Sequence, residues 1–211
     1  IMKARGIIKK VILFMILLSF GFGYAQERVS AELLAKYFPP KAIDGTPYKD
    51  GLKQISLKDH YLFVVDEYVG VQVLDIQNPL KAREITVIYP DNLAPTQNVF
   101  LTDSLAFMSC RLDGVWIIDI KNLEAPKKIA RIRPRAESYW VVADLPYVFI
   151  AEADSGVMIY DVTDVNNPQF VSRIDAGGFV WGVGLLQNFL YVMDKRHGLQ
   201  VFDVSDPQMP R

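Results

Sequence analysis

The sequence predicts an all-β protein made of β-propeller blades, each with four short antiparallel strands. The main observation is a hexapeptide of glycine, alternating apolar residues and aspartate that occurs four times. Its copies GVQVLD, GVWIID, GVMIYD and GLQVFD begin at Gly70, Gly114, Gly156 and Gly198, which lie 44, 42 and 42 residues apart. A fixed period of roughly 20 to 50 residues is typical of a repeat architecture.

Each period holds four strand-like segments. A run rich in β-branched and aromatic residues begins nine residues before each glycine, at Tyr61, Leu105, Tyr147 and Phe189, and it predicts a buried strand. The hexapeptide predicts the next strand, and a third segment, such as Lys127 to Ile132, follows a turn. A short apolar segment comes first, and we expect it to be the innermost strand. Four antiparallel strands in this period form a propeller blade.

Both faces of the hexapeptide strand are largely apolar. Val71 and Val73 share one face because side chains alternate along a strand, and Leu74 lies on the other face. Strands that are covered on both sides predict sheets that stack on one another, as propeller blades do.

These residues resemble the LVIVD-repeat family. The segments GVQVLDIQNP, GVWIIDIKNL, GVMIYDVTDV and GLQVFDVSDP carry the likeness, and the pattern L-x-V-x-D is visible at Leu199, Val201 and Asp203. The resemblance covers about residues 51 to 210. It implies a propeller exported to the bacterial envelope or surface, usually without an assigned catalytic activity.

The N-terminus has the pattern of a secretory signal. Basic residues at positions 3 to 10 precede the apolar run from Val11 to Phe20, and small residues lie before a cleavage point ahead of Gln26. We expect residues 1–25 to be a signal peptide and residues 26–50 to be a linker with a short helix from Ser30 to Phe38. The alternative is an uncleaved signal anchor, which would be the only membrane contact, but the run is shorter than the ~20 residues that span a bilayer. We therefore expect an exported protein that is periplasmic, at the outer surface or secreted.

The repeats divide into blades at about 51–92, 93–134, 135–176 and 177–211, and the last blade is incomplete. Two arrangements remain open. Either the four visible blades are part of a larger ring, or a segment near Lys41 to Asp44 supplies the missing strand and closes a four-bladed ring. The larger ring is favoured because an open array leaves apolar blade faces uncapped.

Composition excludes several function classes. The formal charge is −1, and the first 25 residues carry four basic and no acidic side chains, so the remainder is acidic, which argues against a nucleic-acid partner. Cys110 is the only cysteine, so no internal disulfide can form. His60 and His197 occupy different phases of the repeat, which does not predict a metal or catalytic site. We expect no cofactor, no metal and no catalytic residue in this chain.

Two columns of the repeat are expected to be structural. The glycines Gly70, Gly114, Gly156 and Gly198 stand where a hairpin leads into a strand, a place that often requires a positive φ. The aspartates Asp75, Asp119, Asp161 and Asp203 are expected to accept hydrogen bonds from turn amides. Calcium binding is the alternative for the aspartates.

The candidates for binding lie at the end of the blades where the innermost strands begin. Inner-strand positions and hairpins at this end share one propeller face, and their aromatic side chains suit stacking on a sugar or anchoring a peptide. The candidates are Lys53, Gln97, Tyr139, Trp140, Trp181, Arg111, Arg196 and His197. The sequence thus favours a non-catalytic binding or scaffold module with a protein or glycan partner at the cell envelope. The alternative is an extracytoplasmic enzyme whose central-channel site is completed by blades missing from this chain.

Overall fold

The computed structural model describes residues 51–91 and 94–211, which form four antiparallel sheets arranged in a ring as the blades of a β-propeller. The first blade consists of β1 (Leu52–Lys58), β2 (Tyr61–Asp66), β3 (Gly70–Asp75) and β4 (Arg83–Ile88). The second consists of β5 (Asn98–Leu101), β6 (Leu105–Ser109), β7 (Val115–Asp119) and β8 (Lys127–Ile132). The third consists of β9 (Ser138–Asp144), β10 (Tyr147–Glu152), β11 (Val157–Asp161) and β12 (Gln169–Ile174). The fourth consists of β13 (Val180–Leu186), β14 (Phe189–Asp194) and β15 (Gly198–Asp203).

The predicted fold class is confirmed in these residues. Each strand pairs with the next along the chain, so every blade is a simple antiparallel meander. One 3₁₀ turn, Pro79–Lys81, lies between β3 and β4. The predicted signal peptide, the linker helix and the Lys41 to Asp44 segment all lie outside the residues that the structure describes. Across the described part of the chain, no helix has the length and apolarity needed to cross a membrane.

The repeated glycine lies where the hairpin leads into the third strand of each blade. The φ angles are +114° at Gly70, +87° at Gly114, +82° at Gly156 and +76° at Gly198, all values that favour glycine over other residues. At Gly114 an added Cβ would also collide with the carbonyl oxygen of Ile132 on the neighbouring strand. The tight hairpin and the close approach of the outer strand therefore both depend on glycine there.

The blades stack through apolar faces, and each of the three successive junctions has its own core. Phe63 and Val73 of the first blade pack with Met108 and Ile118 of the second. Phe107 and Ile117 of the second blade pack in the same way with residues of the third, among them Ile150. The third junction joins Phe149 and Ile159 to Leu190 and Val192. The prediction of sheets stacked on sheets is thus confirmed.

Hydrogen bonds made by one buried side chain join the inner strands of the first three blades. The side chain of Asn98 donates to Gln54 Oε1 in the first blade at 2.8 Å, and its own Oδ1 accepts from the backbone amide of Val141 in the third blade at 2.8 Å. Asn98 is buried. Because buried polar groups need partners, this one side chain fixes the relative height of three inner strands.

The fourth blade has one apolar face that is not covered by another blade. This outward face consists of Leu186, Phe189, Tyr191, Met193, Leu199 and Val201, which share one side of the sheet by strand pairing. Leu186 is 64% exposed, Leu199 66% and Val201 52%. The backbone of Arg211 pairs with that of Asp203, as Arg83 pairs with Asp75 in the first blade.

Candidate functional site

One cavity lies at the end of the blades where the inner strands begin. Its volume is about 810 Å³. All four blades contribute to its lining, which consists of Lys53, Gln97, Tyr139, Trp140, Phe179, Trp181, Asp194 and Lys195. Five of the eight binding candidates selected from the sequence therefore surround one cavity.

Aromatic rings form the wall supplied by the third and fourth blades. Tyr139 and Trp140 belong to β9, Phe179 immediately precedes β13, and Trp181 lies within β13. The rings of Tyr139 and Phe179 meet edge to face with centroids 5.3 Å apart. Trp181 is 50% exposed. Half-exposed rings in a concave surface are characteristic of sites that stack on ligands.

Tyr139 is held in place by Arg111 and Glu137. Arg111 Nη2 lies 2.7 Å from Glu137 Oε2 and 3.2 Å from the Tyr139 hydroxyl oxygen. The Tyr139 hydroxyl donates to Glu137 Oε2 at 2.6 Å. The hydrogen bond from Arg111 lowers the pKa of Glu137, and burial, followed by the hydrogen bond to Glu137, raises the pKa of Tyr139. The Tyr139 side chain is therefore uncharged and held in one orientation. Arg111 does not line the cavity and affects its shape only by positioning Tyr139.

The opposite wall carries a charged cluster that joins the first two blades. Lys53 Nζ lies 2.7 Å from Glu67 Oε2, and the amide of Gln97 donates to Glu67 Oε1 at 3.3 Å. Glu67 thereby neutralises Lys53 and orients Gln97. Glu67 was not selected from the sequence, because a single glutamate beside a hairpin does not recur in the other repeats and so does not stand out as a functional residue.

The fourth blade contributes Asp194 and Lys195. The Asp194 side chain is buried, and its Oδ1 accepts from the backbone amides of Arg196 at 2.6 Å and His197 at 2.7 Å. Burial raises the pKa of Asp194, but these hydrogen bonds outweigh that effect and leave the pKa below its usual value. Arg196 and His197 take part in this hairpin through their amides, and the Nδ1 atom of His197 also lies 3.3 Å from Asp194 Oδ1. Neither residue is part of the lining of the cavity.

Asp194 belongs to a column that the sequence analysis did not identify. Asp66, Cys110, Glu152 and Asp194 occupy equivalent positions at the ends of the second strands, and all four are buried. Asp66 closes its hairpin as Asp194 does, by accepting from the amides of Tyr68 and Val69. The signal was present as a recurrent acidic residue, but it is interrupted by the cysteine in the second blade.

Cys110 has the environment of an unreactive thiol. It is fully buried, and its sulfur lies 3.7 Å from the hydroxyl of Thr96. Burial raises its pKa to about 12. A thiol with such a pKa carries almost no thiolate at neutral pH, which is the nucleophilic form.

The repeated aspartates lie at the far end of the blades from the cavity. Asp75, Asp119, Asp161 and Asp203 each accept a hydrogen bond from the amide two residues later, at 2.7 to 2.9 Å. Each therefore closes a turn in its own blade, which is the geometry expected of an Asx turn. Within residues 51–91 and 94–211, no three His, Cys, Asp or Glu side chains are grouped as a metal site would need.

Solved structures show the same fold at low sequence identity. The chain matches the computationally designed Ika4 protein with a TM-score of 0.62 and 10% identity, over 82% of this chain and 99% of that one. It matches a chain of the mitotic checkpoint complex with a TM-score of 0.60 and 12% identity, over 92% of this chain and 61% of that one. BamB from Moraxella catarrhalis matches with a TM-score of 0.51 and 16% identity, over 73% of this chain and 44% of that one. The chain thus spans less than half of the BamB chain and under two thirds of the checkpoint chain.

Sequence comparison gives the family. No curated protein matches the chain significantly. The LVIVD repeat, in contrast, matches residues 52–85, 137–176 and 177–211. These segments make up about half of the chain and correspond to the first, third and fourth blades, and the second blade continues the same fold between them. The protein therefore belongs to the LVIVD-repeat family.

Proposed function

We propose that this propeller is a non-catalytic binding or scaffold module that is exported to the bacterial cell envelope and holds a protein or glycan partner in the cavity described above. The observation that carries the proposal is the convergence of Lys53, Gln97, Tyr139, Trp140 and Trp181 on one cavity. One residue or more comes from every blade, so the fold itself brings them together.

The chemistry of the cavity supports a ligand that is stacked and hydrogen-bonded. Trp181 and Trp140 offer aromatic faces, and Gln97 offers an amide oxygen that the Glu67 contact leaves free. Lys195 is exposed, and no ion pair is found for it among the described residues. A sugar ring or an extended peptide can use such surfaces, because both combine apolar faces with hydrogen-bonding groups.

Export is supported by the N-terminal sequence pattern and by what the family resemblance implies. Expression of the chain with its own N-terminus in a bacterium, followed by cell fractionation and mass measurement, tests it. We expect protein outside the cytoplasm that begins at Gln26. Protein retained in the cytoplasm with an intact N-terminus would contradict export.

The binding proposal is tested by replacing Trp181 with alanine. We expect Trp181→Ala to weaken binding by at least about tenfold, because truncation of a tryptophan that anchors an interface typically costs about 2 kcal/mol or more. Binding is measured by calorimetry against a panel of soluble envelope oligosaccharides and, separately, a library of short peptides.

The matched control is Trp116→Phe. Trp116 also lies on a strand, but it packs against Lys128 and Arg131 and donates to Asp113 away from the cavity. We expect this variant to bind as the parent does. Equal binding by Trp181→Ala and the parent, with both folded by circular dichroism, would place the ligand site elsewhere.

A further inference from the structure

We propose that the cavity binds a ligand with a negative charge beside a flat ring, namely a carboxylated sugar residue of an acidic polysaccharide. This inference rests on the proposed function, since it names the class of ligand for the same site. The charged groups that reach the cavity and the aromatic rings beside them support it.

The hairpins at the cavity end begin with a charged residue in three of the blades. Glu67, Arg111 and Lys195 occupy equivalent positions there, directly after the second strand. Glu67 and Arg111 are neutralised, because Lys53 Nζ lies 2.7 Å from Glu67 Oε2 and Arg111 Nη2 lies 2.7 Å from Glu137 Oε2. In the first pair the lysine is the more exposed partner, at 35% of its side chain against 15% for Glu67. Lys195 is exposed as well, and no carboxylate in the described part of the chain pairs with its ammonium group.

The acidic residue of the described lining does not reach a ligand. The Asp194 side chain is 0% exposed, and its Oδ1 already accepts from the backbone amides of Arg196 and His197. Lys195, in contrast, is exposed, and its backbone amide is fixed beside the aromatic wall by donating to the carbonyl of Phe179 at 2.8 Å. The charge that the cavity presents to a ligand is therefore positive. Because binding sites complement the charge of their partners, we expect an anionic group on the ligand.

The aromatic wall next to Lys195 indicates what carries the anionic group. Phe179 meets Tyr139 edge to face with ring centroids 5.3 Å apart, and Trp181 is 50% exposed. A sugar ring has an apolar face that packs on such rings, and its hydroxyls can hydrogen-bond to the amide of Gln97. A carboxylated sugar thus combines the flat face, the hydroxyls and the negative charge.

The size of the cavity agrees with a compact ligand. Its volume of about 810 Å³ lies within the range of roughly 300 to 1,000 Å³ that is typical of small-ligand pockets. An acidic peptide offers the same charge without the flat, hydroxylated ring, so the aromatic wall favours the sugar.

The test uses pairs of ligands that differ only in charge. Tetrasaccharides of glucuronic, galacturonic or mannuronic acid are each compared with their carboxyl methyl esters by calorimetry at low salt. We expect the protein to bind at least one of the acids at least about threefold more tightly than its ester, as exposed ion pairs allow. This preference should shrink as salt is added, because salt screens exposed charges.

The matched variants are Lys195→Met and Arg196→Met. Lys195→Met removes the charge but retains a long side chain, so we expect it to bind the acid and the ester equally. Arg196→Met removes the neighbouring exposed cation, which does not line the cavity, and should keep the preference.

The outcomes separate this inference from the proposed function. Equal binding of acids and esters by the parent, or a preference that survives Lys195→Met, would overturn the anionic ligand and leave the binding function standing. Failure to bind any of the acids would overturn the sugar, and Lys195-dependent binding of an acidic peptide would then identify a peptide as the occupant. If Trp181→Ala binds every ligand as the parent does, the proposed function itself fails.

Discussion

Each repeated residue meets a local requirement of the backbone in its own blade. The aspartates supply an acceptor to a turn amide, and the glycines supply a positive φ. These roles could be predicted from the sequence, because a residue that recurs at the same position of every repeat must serve a structural element that every blade has, here a turn or a hairpin. The buried acids Glu152 and Asp194 could not be predicted in the same way, since each resembles an ordinary polar residue at a strand end.

The glycine column allows a matched prediction. Gly114 and Gly198 have similar φ angles of +87° and +76°, but only at Gly114 would a Cβ collide with a neighbouring strand. Gly198→Ala should lower the free energy of unfolding by about 1 to 2 kcal/mol through backbone strain alone. Gly114→Ala adds the collision, so we expect a loss of more than about 3 kcal/mol. Urea titration of both variants checks this, and equal losses would contradict it.

At the scale of elements, Glu152 ties the end of β10 to the connection that precedes β9. Its Oε2 accepts from the backbone amide of Arg135 at 2.9 Å, and the side chain is fully buried. The strands themselves could be predicted, since alternating apolar residues identify them. The register shifts could not. Between the third and fourth strands of the first three blades they fall at equivalent pairs, Val73 and Leu74, Ile117 and Ile118, and Ile159 and Tyr160. One additional residue in a short strand leaves no pattern in the sequence.

Glu152 also predicts a pH dependence of stability. Burial raises its pKa, so above the ordinary glutamate pKa of about 4.3 the unfolded chain ionises more readily than the folded protein. This difference lowers stability as the pH rises through that value towards the raised pKa. Glu152→Gln cannot ionise, so we expect the stability of the variant relative to the parent to increase between about pH 4 and pH 7. Urea titrations across this range test it, and a constant difference would show that Glu152 ionises normally.

At the scale of the whole molecule, the blades form a stack whose members are covered to different extents. The third blade has a neighbour on each side, whereas the fourth leaves one face exposed. The convergence of five candidate residues on one cavity could be foreseen, because equivalent inner-strand positions must meet around the propeller axis. Phe179 could not, since it precedes the strand in a glycine-containing connection outside the repeated pattern.

Because the fourth blade is covered by a neighbouring blade on one face only, we expect its local stability to be lower than that of the third blade. Opening of β15 exposes little new apolar surface because Leu199 and Val201 are already in contact with solvent, whereas opening of β11 exposes Val157 and Ile159. Backbone amides of β15 should therefore exchange at least about tenfold faster than those of β11. Hydrogen exchange followed by mass spectrometry tests this expectation. Uniform protection across both strands would mean that the fourth blade is covered in solution.

The way in which the cavity is assembled has a practical consequence. Lys53, Gln97, Tyr139 and Trp181 occupy the same column of the repeat, one per blade. The turns and the glycine that shape each blade lie outside this column. Four separate codons can therefore be randomised together to yield a library of receptors on one unchanged scaffold.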